Sequence, residues 1–104
     1  MAFVYAAKAR DIVPGQIREI QLDGITIALA NVSGQFHALS NTCLHRGGPL
    51  GQGSLQGHLV TCPWHGWTFD VTSGKVSGSQ SAGVDRYPVE IRGEDVYVDT
   101  GTHP

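Results

Sequence analysis

Cysteine is scarce in this chain: 104 residues carry two thiols, Cys43 and Cys62, and their placement suits metal ligation better than a disulfide. Charge of one sign is lacking too. Seven Lys/Arg stand against nine Asp/Glu for a net charge of −2, with no basic stripe, which argues against a nucleic-acid partner. No apolar run approaches the roughly 18 residues of a membrane span. The run Ile25 to Ala30, interrupted by Thr26, has the length of a strand. The N-terminus, from Met1 to Lys8, lacks a charged segment followed by a long apolar core, so no secretory signal is expected. The expected compartment is the cytoplasm, where thiols stay reduced and available to metals. The length suits one domain, which buries roughly 65% of its unfolded surface. An internal metal cluster would add to so modest a core.

Helical periodicity is weak. Fourteen glycines and five prolines punctuate segments rich in Val, Ile, Tyr, Phe and Thr, which reads as an all-β domain of short strands. Strands are expected near Phe3–Ala7, Gln16–Leu22, Ile25–Asn31, Gln35–Leu39, His58–Thr61, Trp67–Phe69, Arg86–Ile91 and Asp95–Asp99. Tight turns are expected at Asp23-Gly24, Ser33-Gly34 and Gly93-Glu94-Asp95. From Asn41 to about Gly83 the composition shifts to Gly, Ser, Pro and polar residues. That stretch, 41–83, is expected to be a small subdomain inserted into a β framework of residues 1–40 and 84–104. The tract Ser77–Gly83 reads as a loop, and from Asp85 onward five acids face Arg86 and Arg92, as a solvated strand surface or a weakly acidic docking face.

Two signatures inside the inserted stretch carry the chemistry. They are Cys43-Leu44-His45 and, seventeen residues after His45, Cys62-Pro63-Trp64-His65. Thiolate and neutral imidazole both suit iron and zinc. Two to four residues usually separate the paired ligands of structural zinc, whereas only Leu44 separates Cys43 from His45. In extended chain those Cα atoms lie about 6.6 Å apart on one face, which favours two metal atoms. A turn would instead let both side chains reach one zinc. A two-iron cluster fits the spacing more naturally, with Cys43 and Cys62 on one iron and His45 and His65 on the other. Gly47, Gly48, Gly51 and Gly66 allow backbone to approach closely, and Pro49 and Pro63 stiffen the loops. Trp64 and Trp67 are expected to shield the site. His37 reads as structural or exposed, His58 as an ordinary strand residue and His103 as a terminal one, while Arg46 stands beside His45.

The motifs Cys43-Leu44-His45-Arg46-Gly47 and Cys62-Pro63-Trp64-His65-Gly66-Trp67 resemble the two cluster-binding loops of Rieske iron–sulfur proteins. The resemblance continues through Thr68-Phe69-Asp70 and the Ser73-Gly74 turn. The whole chain is similar to the Rieske ferredoxins of bacterial aromatic-ring dioxygenase systems. The resemblance implies an antiparallel β-sandwich and one [2Fe-2S] cluster, held by Cys43, His45, Cys62 and His65. It implies a monomeric one-electron carrier, not itself an enzyme. Its transient partners would be a flavin-dependent ferredoxin reductase and a terminal oxygenase, with no membrane or nucleic acid involved. The alternative is a bound small subunit, as in nitrite reductases of the same fold. A catalytic oxygenase needs a mononuclear iron site for which the chain has no room, and a zinc interaction module is the remaining reading.

Respiratory and photosynthetic Rieske proteins carry a disulfide between the loops, at positions matched here by Gly48 and Trp64. They also carry a Ser and a Tyr that donate hydroxyls to sulfur, at positions matched by Trp67 and Phe69. Fewer hydrogen bonds to sulfur favour the oxidised cluster. The expected potential therefore lies toward the bottom of a window of roughly −150 to +300 mV.

Overall fold

The computed structural model describes residues 3–22, 24–42, 48–64, 66–77 and 82–100. Ten strands build three sheets, and no α-helix occurs among the described residues. The strands are β1 (Phe3–Lys8), β2 (Ile17–Leu22), β3 (Ile25–Val32), β4 (Gln35–Ser40), β5 (Ser54–Gln56), β6 (Leu59–Thr61), β7 (Thr68–Asp70), β8 (Arg86–Tyr87), β9 (Val89–Arg92) and β10 (Asp95–Asp99). Every strand pairing is antiparallel. The sheet orders are β1-β10-β9, β2-β3-β4-β8 and β5-β6-β7.

The β3 sequence explains how the sheets stack. Side chains alternate across a strand. On one face of β3, Ile27 and Leu29 are fully buried against Val96 and Val98 of β10, with Ile12, Leu22 and Ala38. On the other, Ala28 and Ala30 meet Leu39, Leu50, Val60, Cys62, Phe69 and Val71. Large side chains thus fill the gap to the first sheet, and small ones let the loops and the third sheet approach closely. Cys62 belongs to this second core and is 1% exposed.

Local chemistry sets the turns. Ser33 and Gly34 take φ of 52° and 95° between β3 and β4, as a two-residue primed hairpin requires. The Asn31 side chain closes that turn by accepting from the Gly34 N–H at 2.8 Å. Gly93, with φ 61°, starts the turn between β9 and β10. Asp23 of the Asp23-Gly24 turn lies outside the described residues, as do His103 and positions 78–81 of the Ser77–Gly83 loop.

Two expectations, the strand Arg86–Ile91 and the placing of His58, need correction, and one strand was missed. The single strand Arg86–Ile91 is two strands, because Pro88 has no N–H to continue a ladder. At Pro88 the chain leaves β4 and joins β10, changing sheets at a sandwich corner. Strand β5 was not anticipated: Ser54-Leu55-Gln56 is short, and its pairing with β6 across Gly57-His58 supplies what local pattern does not. His58 sits in that turn, not on the strand. Of the two readings of the acids from Asp85 onward, the ion pairs favour the solvated strand surface over an acidic docking face. Asp95 pairs with Lys8 at 3.0 Å, Glu94 stands 3.7 Å from Arg10, Glu90 pairs with Arg92, and Asp99 is fully buried. Arg92 also lies 4.3 Å over the Tyr97 ring.

Candidate metal centre

Cys62 follows the end of β6, where the chain turns back toward β7. Its backbone N–H donates to the Trp67 carbonyl at 2.7 Å, closing the second loop over Pro63–Gly66. Gly66, at φ 75°, takes the left-handed conformation this closure needs. The first loop is closed at its stem by the Thr42–Pro49 bridge and by the Leu50 N–H donating to the Asn41 carbonyl at 2.8 Å. Leu50 itself is fully buried in the Cys62 core.

Gly48 brings the loops together. A Cβ placed on Gly48 would lie 2.7 Å from the Cys62 Sγ and 3.0 Å from both Cβ and Cγ of Trp64. The first loop therefore rests directly on the sulfur of the second, with room for hydrogen and nothing larger. The same observation bears on the missing disulfide. Positions 48 and 64 adjoin across the loops, as bridge positions must, and the Trp64 indole base stands against Gly48 where a bridge would run.

Of the four predicted ligands, Cys62 is placed by the structure; Cys43, His45 and His65 lie outside the described residues, as do Arg46 and Gly47. Their attachment points are described. Thr42 and Gly48 bracket the first motif, and Trp64 and Gly66 flank His65. Trp64 and Trp67 are 50% and 36% exposed, so both indoles present surface to solvent beside the Cys62 loop. Phe69, matching the hydroxyl-bearing Tyr position, is fully buried in the Cys62 core and offers sulfur no donor.

Two other histidines stand apart from this centre. His58 lies at the end of β6 opposite Cys62, with Nδ1 3.2 Å from the Asp70 Oδ1. Burial pushes the Asp70 carboxyl up, but donation from the Thr72 hydroxyl and N–H and from His58 outweighs it and holds the group below its usual range. His37, on β4, is pushed down by burial and by the Arg86 charge, so it stays neutral at pH 7.

Sequence reasoning missed a set of polar residues at the first loop's stem. Asn41 is 8% exposed. Its Oδ1 accepts from the Gly51 N–H at 2.7 Å, and its Nδ2 donates to the Glu19 Oε2 at 2.6 Å. Gln52 Nε2 donates to the Glu19 Oε1 at 2.9 Å. Both donors hold the Glu19 carboxyl below its usual range, Gln52 more than Asn41. No local pattern announces this set, since Glu19 stands 22 and 33 residues from its partners. A carboxyl depressed by folding adds stability above its unfolded pKa and loses it as pH falls through the folded value. The Gly51 amide proton is therefore expected to keep one NMR position across the ordinary glutamate range and to move only at lower pH.

A family model described as the Rieske [2Fe-2S] domain matches residues 2–88. The chain belongs to the Rieske family. It is 35% identical over 92 residues to ferredoxin CarAc of Metapseudomonas resinovorans, covering 86% of each chain. It is 38% identical over 92 residues to apoptosis-inducing factor 3 of Homo sapiens, covering 86% of this chain but only 15% of that protein's length. Among solved structures it superposes on a complex of reduced oxygenase and oxidised ferredoxin in carbazole 1,9a-dioxygenase. The TM-score is 0.84 at 33% identity, with 92% of this chain and 91% of the other covered. The all-β sandwich and the resemblance read from the motifs are both borne out, and this Rieske domain carries one [2Fe-2S] cluster. No helix among the described residues is long and apolar enough to cross a membrane. The buried Cys62 sulfur, with Gly48 of the first loop seated on it, fits such a cluster: it is a soft donor atom shielded from bulk water.

Proposed function

We propose that this protein is a cytoplasmic, monomeric one-electron carrier that accepts electrons from a flavin-dependent reductase and delivers them to a terminal Rieske oxygenase. The observation that carries this reading is likeness over most of both chains to ferredoxin CarAc, with 86% of each chain covered at 35% identity. The bound cluster supplies a reversible one-electron iron couple. The protein's own part is to hold four ligands: Cys43 and Cys62 as thiolates on one iron, His45 and His65 as imidazoles on the other. The third sheet, built wholly from residues 54–70, supports a division into a cluster-binding subdomain at 41–83 and a framework of 1–40 and 84–104.

The exposed Trp64 and Trp67 beside Cys62 suit the face on which an oxygenase docks. Aromatic side chains are frequent anchors of interfaces, and a transient redox contact is small. Trp64→Ala is therefore expected to raise the apparent KM of an oxygenase for the reduced protein about fivefold or more, equivalent to ~1 kcal/mol. Steady-state oxygenase turnover at varied carrier concentration reads this directly, and an unchanged KM removes Trp64 from the interface.

The function is tested by reconstitution. With a ferredoxin reductase, NADH and a terminal oxygenase, the protein should support substrate oxidation in catalytic amounts. Omitting it, or using protein stripped of iron, should stop turnover. Reduction by the reductase with no onward transfer to any aromatic-ring oxygenase would contradict the reading.

A further inference from the structure

We propose that Glu19, on strand β2, is a positioning residue for the cluster: it clamps the two stems of the first ligand loop to the framework. This rests on the reading that Cys43 and His45, carried by that loop, are ligands.

The loop leaves β4 at Asn41 and returns through a 3-10 turn at Leu50–Gln52. One carboxylate holds both ends. Oε2 accepts from Asn41 on the outgoing stem at 2.6 Å, and Oε1 accepts from Gln52 on the returning stem at 2.9 Å. The Asn41 carboxamide completes the ring by accepting from the Gly51 N–H at 2.7 Å, inside the protein. Gly51 shows how closely the turn lies on β2. A Cβ there would stand 2.5 Å from the Glu19 Cγ and 2.8 Å from both the Glu19 N and the Asn41 Oδ1.

Charge-assisted hydrogen bonds are stronger than neutral ones, and a carboxylate offers acceptors to two donors at once. An amide at position 19 offers one oxygen, and its NH2 group opposes a donor that is already there. An alanine leaves both donors to water. The stems that carry Cys43 and His45 would then separate more readily, with two consequences. The cluster becomes more open to chelators, and the backbone groups around sulfur, which tune its potential, lose their fixed placement.

Four holoproteins test this: wild type, Glu19→Ala, Glu19→Gln and Gln52→Ala. Each is measured for visible-band bleaching under a fixed excess of iron chelator, for midpoint potential by protein-film voltammetry and for thermal midpoint. Glu19→Ala is expected to bleach about tenfold faster than wild type, with Glu19→Gln and Gln52→Ala between them. Gln52→Ala keeps the carboxylate charge, so a potential shift in that variant reports loop placement and not the lost charge. Should Glu19→Ala fail to fold, Gln52→Ala, which removes one bond at an exposed site, carries the same comparison. Wild-type bleaching in Glu19→Ala, or faster bleaching with an unchanged potential in Gln52→Ala, overturns the positioning role. Cys43→Ser separates the two readings: a retained wild-type cluster there refutes the ligand assignment. A lost cluster there, beside wild-type behaviour of Glu19→Ala, refutes the clamp alone.

Discussion

Cys62→Ser is expected to yield a colourless protein with no stoichiometric iron or sulfide. Two effects act together. The variant would lose the thiolate proposed as a ligand, and a hydroxyl replaces sulfur at a site that is 1% exposed among Leu50, Val60, Phe69 and Val71. Burying a hydroxyl in apolar surroundings costs about 1–3 kcal/mol by itself. Loss of the cluster removes a cross-link between the loops as well, and metal binding in small domains is coupled to folding. The melting transition should therefore fall by several degrees or lose cooperativity. The β1-β10-β9 sheet, which draws its core from Ile27, Leu29, Val96 and Val98, should persist. Iron and sulfide analysis with circular dichroism melting checks both parts. A red-brown protein with two iron atoms per chain would remove Cys62 from the ligand set.

Gly48→Val should have nearly the same effect without replacing any of the proposed ligands. The first added atom would already stand 2.7 Å from the Cys62 Sγ and 3.0 Å from two carbons of Trp64. Those distances are well inside van der Waals contact, and the sulfur cannot move freely. Cys62 is fixed by its core and by the bond from its N–H to the Trp67 carbonyl at 2.7 Å. Overpacking at such a site costs about 1–3 kcal/mol, and here the displaced atom is the sulfur proposed as a ligand. Cluster occupancy after reconstitution should drop at least tenfold. Gly66→Ala is the instructive comparison. Gly66 has φ 75° and nothing within 4 Å of an added Cβ, so its replacement meets backbone strain alone, about 1–2 kcal/mol. That variant should keep its cluster with lowered stability. Equal occupancy in Gly48→Val and wild type would show that the loops do not meet at Cys62.

Legibility in the sequence differed from element to element for physical reasons. Strand β3 was plain in the run Ile25 to Ala30, because a strand buried on both faces needs apolar residues throughout. The turns at Ser33-Gly34 and Gly93 were plain because few residues tolerate positive φ. Strand β5 was hidden, since three residues carry too little periodicity and its pairing with β6 makes it. Pro88 is visible in the sequence, but the change of partner from β4 to β10 that it permits is a tertiary fact. The family was legible in the two Cys/His motifs because metal coordination constrains residue type and local spacing together. The stem residues were not. Glu19, Asn41 and Gln52 are ordinary polar residues until the fold brings them together. The contact of Gly48 with Cys62 is of the same kind, since a glycine after a ligand motif looks like any turn residue.

Two features set the expected potential of the proposed centre. Mixed Cys/His ligation would lift it above that of an all-Cys cluster, because neutral imidazole replaces negative thiolate. Phe69 in the core beside Cys62, and Trp67 in its loop, would hold that rise down because neither side chain offers sulfur a hydroxyl donor. Protein-film voltammetry of the holoprotein tests the balance of the two most directly. The expected midpoint lies near the lower end of the window of roughly −150 to +300 mV. A value near about −400 mV would contradict mixed ligation, and one above about +100 mV would contradict the low-potential carrier.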